Sequence, residues 1–102
     1  MIVKHIILWQ LKEEYSDGEK EQIKAEIKSG LESLAEKIPG LIEISVQTER
    51  LASSNADLML YSVFEDEASL KGYAVHPEHV KVADGKVRPH PKTRTCIEFE
   101  CE

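Results

Sequence analysis

An α+β fold built on one four-stranded antiparallel sheet is predicted by three observations. Four segments, at 2–12, 41–49, 58–64 and 94–101, are rich in β-branched and bulky residues. Between the first two, Ile23, Ile27, Leu31, Leu34 and Ile38 recur at spacings of three and four, which lines one face of a helix. The elements then run strand, helix, strand, strand, helices, strand. That βαββαβ order is the ferredoxin-like arrangement, with strands one and three central and strands two and four at the edges.

Each element has its own warrant. Residues 2–12 carry Ile2, Val3, Ile6, Ile7, Leu8 and Trp9 with no helix breaker, so both faces of this strand are apolar. Ser16 or Asp17 caps the first helix, with Glu19 and Glu21 favourably placed against the positive end of its dipole. Pro39-Gly40 is the expected stop, which takes the helix to Ile38. Residues 41–49 alternate, with Ile42, Ile44 and Val46 on one side and Glu43, Ser45 and Gln47 on the other. A polar turn from Ala52 to Asn55 leads into the apolar run 58–64. Asp66 caps a short helix bearing Leu70 and Tyr73, and His76-Pro77 opens another, since proline is well placed in a first turn. Gly85 is the expected end of that helix. The last strand sets Thr95, Ile97 and Phe99 against Arg94, Glu98 and Glu100.

The helices can cover only one face of such a sheet. Met59, Val63 or their opposite neighbours must then point to the other face. An apolar patch of that kind is seldom left bare on a monomer, and twofold pairing is the commonest way to cover it. A homodimer packed sheet against sheet is expected.

Composition narrows the function. At 102 residues the chain is expected to be a single domain, with 41% hydrophobic and 31% charged residues. A net charge of −6 argues against nucleic acid as a partner. The local basic cluster of Lys86, Arg88, Lys92 and Arg94, with His90 among them, is broken by Pro89 and Pro91 and reads as a solvated connection. The apolar run Ile6 to Trp9 falls far short of the ~20 residues that cross a bilayer, and no secretory pattern is present. A cytoplasmic location is expected, with no membrane partner. Cys96 and Cys101 are five apart on one strand, so they face opposite ways roughly 16 Å apart and cannot bridge to each other. Two reduced thiols agree with that compartment.

The residues able to do chemistry lie in two places: His5 on the first strand, and the segment Tyr73-Ala74-Val75-His76-Pro77-Glu78-His79. Imidazole titrates near neutral pH and serves proton transfer and metal ligation alike. His5 shares its strand face with Val3, Ile7, Trp9 and Leu11, an apolar setting that disfavours its charged form. With Pro77 as the first helical residue, His79 falls in the first turn, where the helix dipole also disfavours charge and suits a general base. Tyr73 could donate a hydrogen bond to a developing enolate oxygen. Each has a structural reading too: His5 as a hydrogen-bonded core residue, Tyr73 as a core aromatic, and His76 as a helix cap or hinge. A metal site would draw on His76, His79, His5 and Glu78, but Pro77 constrains the turn and no cysteine cluster accompanies them. No metal is expected, and neither cysteine adjoins a histidine in sequence or in the strand pattern, as a nucleophile would.

Several pieces together resemble the stress-responsive dimeric α/β-barrel (Dabb) domain family. They are Val3-Lys4-His5-Ile6, Ile38-Pro39-Gly40, Ala56-Asp57-Leu58, Phe64-Glu65-Asp66, Tyr73 to His79 and Val87-Arg88-Pro89, which span nearly the whole chain. The resemblance implies a ferredoxin-like protomer and a two-sheet barrel across a homodimer. One plant polyketide cyclase of that family closes a ring by intramolecular aldol condensation without a cofactor. Its catalytic histidine, tyrosine and second histidine correspond to His5, Tyr73 and His79. Trp9 reads as core or pocket wall, and pocket positions are also expected at His76 and at Ile27, which stands where that cyclase has a pocket tyrosine. The expected function is a small-molecule pocket with a cofactor-free proton-transfer or cyclase-type reaction on a carbonyl compound. The alternative is a non-catalytic stress-response dimer that binds a small molecule or has a structural role, its histidines bonded internally.

Overall fold

A computed structural model describes residues 1–101. It contains β1 (Ile2–Leu11), α1 (Asp17–Glu32), β2 (Leu41–Gln47), β3 (Leu58–Phe64), α2 (Glu67–Val75), α3 (Pro77–Val82), a π-helical turn (Ala83–Val87) and β4 (Pro91–Cys101). The four strands form one antiparallel sheet in the order β2-β3-β1-β4, so β1 and β3 are central and β2 and β4 are edges. The fold is ferredoxin-like, with every helix on one face.

Register explains the layering. Val3, His5, Ile7 and Trp9 of β1 stand opposite Phe64, Ser62, Leu60 and Leu58 of β3. All eight are buried beneath the helices, together with Ile23, Ile27, Leu31, Leu34 and Ile38. The alternate residues point to the bare face, where Ile2, Leu8, Ile97 and Phe99 are exposed, as the one-sided helix layer requires. Met59 and Val63 pair with Leu8 and Lys4 and so belong to that face.

Capping sets the helix starts. Ser16 and Glu19 form a reciprocal capping box at α1, and Asp66 accepts from the Ser69 amide at α2. Several details depart from the sequence expectation. First, α1 ends at Glu32 and not at Ile38. Leu34, Ala35 and Lys37 bond back three residues, not four, so the chain tightens into turns while Leu34 and Ile38 still reach the core. Gly40 completes the reversal with φ at +81°, and a Cβ there would lie 2.1 Å from Ser69 Oγ. Second, a bulge lies between Leu41 and Glu43, so Leu41 takes the place opposite Phe64 and Ile42 is left exposed, out of the alternation expected for it. Third, Gly85 does not end the helical segment. The amide of Arg88 reaches back five residues to Ala83, and the π turn buries both Ala83 and Val87. Strand β4 also begins three residues earlier than expected, at Pro91, where an edge strand tolerates a missing N–H.

Candidate functional site

Between the sheet and α2, α3 and the π turn lies a cavity of about 530 Å³. Its floor is Ile7, Trp9 and Leu60 of the sheet, with Leu31, Leu70 and Val87 from the helical layer. The structure brings His5, Tyr73 and His79 onto the wall of this one cavity. The helix break at His76-Pro77 makes that possible, because Tyr73 lies in the last turn of α2 and His79 in the first turn of α3, with their ring centroids 4.0 Å apart and the planes tilted by 32°. His5 meets the edge of Tyr73 at 6.0 Å and that of Phe64 at 6.4 Å.

Two polar atoms in this group are buried without a protein partner: the Tyr73 hydroxyl and His79 Nδ1. Buried polar groups are nearly always satisfied, so a pair of exceptions in adjacent rings marks the site. Burial drives the Tyr73 phenol well above its usual pKa, and it stays protonated and able to donate. Burial also lowers the pKa of His79. The charge of Arg88 adds to the effect, and the nearby carbonyls of Ala74 and Tyr73 oppose it. Burial, more than the dipole of a six-residue helix, therefore keeps this imidazole neutral.

His5 is not left unpartnered. Its Nδ1 lies 2.6 Å from Glu98 Oε2 on β4, and the Sγ of Cys96 stands 4.0 Å from the same nitrogen. Burial pushes the His5 pKa down and Glu98 pulls it part of the way back. The same burial, with the Glu98 carboxylate beside it, raises the Cys96 thiol pKa. His5, Cys96 and Glu98 also hold a nitrogen, a sulfur and a carboxylate oxygen within 4.8 Å of one another, the donor types of a divalent transition metal. His76, His79 and Glu78 are not part of that trio.

The profile of the stress responsive A/B barrel domain matches residues 3–101. The chain belongs to that family. A dimeric, ferredoxin-like protein of unknown function from Bacteroides fragilis is 30% identical, with a TM-score of 0.91 over 98% of this chain and 96% of that one. A ferredoxin-like Dabb family protein from Mesorhizobium loti, at 17% identity, superposes with a TM-score of 0.74 over 99% and 97% of the two chains. A hydroxynitrile lyase from Passiflora edulis, at 19% identity, does so with a TM-score of 0.72 over 96% and 91%. These last two likenesses are of fold alone. No curated protein sequence matches the chain. No helix among the described residues is long and apolar enough to cross a membrane.

Two pocket residues expected from the A/B barrel resemblance lie elsewhere. Ile27 is wholly buried in the core beneath the cavity, and Leu31, one turn further on, lines it instead. His76 faces away and caps α3, its Nδ1 accepting from the Glu78 amide at 3.1 Å. Trp9 does line the cavity. Sequence reading missed Glu98, Cys96 and Arg94, which alternate onto the cavity side of β4 opposite His5, Ile7 and Trp9. The signal was the polar face of that strand. Only the register shows which β1 residues it meets.

Proposed function

We propose that this A/B barrel protein transfers a proton on a small carbonyl compound without a cofactor. One observation carries the reading: Tyr73 and His79 line one cavity together with His5, and the Tyr73 hydroxyl and His79 Nδ1 are buried there without a protein partner. A neutral His79 takes a proton from carbon next to the carbonyl or from a hydroxyl. The protonated Tyr73 donates to the oxygen on which charge develops. With its Nδ1 engaged by Glu98, His5 is held in one ring orientation and leaves Nε2 to a ligand. Shared fold with a hydroxynitrile lyase is compatible with such chemistry on this scaffold. The working unit in this proposal is a homodimer joined through the bare sheet face of Ile2, Leu8, Ile97 and Phe99. Its two free thiols suit the cytoplasm.

The internal His5–Glu98 bond favours a second reading, in which the cavity binds a small molecule and performs no reaction. Isotope exchange separates the two. Ketones and β-keto esters incubated in heavy water with wild type should lose their α-protons about 10²-fold or more faster than with His79→Ala, followed by proton NMR. Equal exchange with both proteins leaves binding as the function.

A further inference from the structure

The basic cluster that reads as a solvated connection in the sequence is instead part of the cavity mouth. Arg88, Lys92 and Arg94 line it, joined by Lys71 from α2. The protein as a whole carries a net charge of −6, so this rim runs against the bulk charge. Three of the four cations are already matched: Lys71 to Glu67 at 3.6 Å, Lys92 to Glu13 at 3.0 Å and Arg88 to Asp84. Arg94 has no carboxylate within salt-bridge distance among the described residues, while its neighbour Glu98 is committed to His5.

From this arrangement we infer that Arg94 is the recognition residue for a carboxylate on the ligand. The occupant is then an amphipathic organic monoacid. Its apolar body rests on Trp9, Ile7 and Leu60, its carboxylate is gripped at the mouth, and its carbonyl reaches Tyr73 and His79. The inference rests on the cavity reading above and adds the substrate class to it. Three observations support it. A planar guanidinium matches a carboxylate with two parallel hydrogen bonds. One unmatched positive charge suits a monoanion better than a doubly charged phosphate. Arg94 stands opposite Trp9 on the cavity side of β4, and its charge is close enough to the His5 group to help lower the His5 pKa.

Trp9 is the only tryptophan in the chain, is buried at 3% exposure and lines the cavity, so its fluorescence reports occupancy. Octanoate and the neutral octanamide are matched probes that differ in the charge at issue. Wild type should bind octanoate about tenfold more tightly than octanamide. Arg94→Gln should bring octanoate down to the octanamide level without changing the amide, whereas Lys92→Gln should keep the preference. Arg94→Lys, which retains the charge but not the fork, should recover part of it. Equal affinities in wild type, or a preference that survives Arg94→Gln, overturn the inference while leaving proton transfer standing. Selective octanoate binding without isotope exchange does the reverse. A Trp9 signal unmoved by either probe also overturns the inference, and isotope exchange alone then decides the proton-transfer reading.

Discussion

Removing the Tyr73 hydroxyl separates stability from function at this site. Tyr73 is 2% exposed, its oxygen is sealed from solvent, and no protein group partners it. A buried hydroxyl in that state costs about 1–3 kcal/mol relative to one that is bonded or hydrated. Tyr73→Phe keeps the ring against His79 and packed at 5.1 Å against Phe64, and deletes only the oxygen. The lost oxygen takes with it a few dispersion contacts of about 0.1–0.2 kcal/mol each. The balance is a gain of about 1 kcal/mol in folding stability. For a chain of 102 residues that raises the melting temperature by about 4–8 °C. Calorimetry at one fixed protomer concentration measures it, because a dimer's melting point depends on concentration. The same variant should slow α-proton exchange by about 10²–10³-fold, as loss of an oxyanion donor does. A variant that melts lower than wild type would show that the hydroxyl is bonded in the folded protein, and undiminished exchange would remove Tyr73 from the chemistry.

The pH dependence of stability and the pairing of the sheets supply two more predictions. His5 and His79 have folded pKa values below the ordinary 6.5, so the unfolded chain binds protons first as pH falls through that value. Stability should therefore decline from about pH 7 to about pH 5, and His5→Gln should flatten the slope in urea titrations; an unchanged slope refutes the assignment. The carboxylates held low, such as Glu19 and Asp66, start from ordinary values of 4.5 and 3.8 and titrate below that window. On the bare sheet face, Ile97→Glu, opposite Ile6, should convert the dimer to monomer by sedimentation velocity, since an apolar interface cannot bury a charge without a partner. A dimer that persists would place the interface elsewhere.

The fold was legible because its signals are local. The apolar run 58–64, the helical stripe from Ile23 to Ile38 and the caps at Ser16 and Asp66 act within a few residues. The errors were local too, in the places where two rules compete. The apolar stripe continues past Glu32 although the backbone has already turned, and Ile42 fits the alternation until a bulge displaces it. At the site, His5, Tyr73 and His79 stood out by residue type, but Glu98 did not. Its contact with His5 joins residues 93 positions apart through the pairing of β1 with β4.

Element order, the two-sided apolar strands and the need to cover a bare sheet face are thus properties of the chain's periodicity, and periodicity is carried by neighbours in sequence. Which groups share the cavity is a property of register and helix placement. Only the assembled sheet brings Glu98 to the His5 ring, leaves the Tyr73 hydroxyl and His79 Nδ1 without partners and carries Arg94 to the mouth. Those contacts arise from strand pairing over long loops, where a shift of a single residue would turn each side chain to the opposite face.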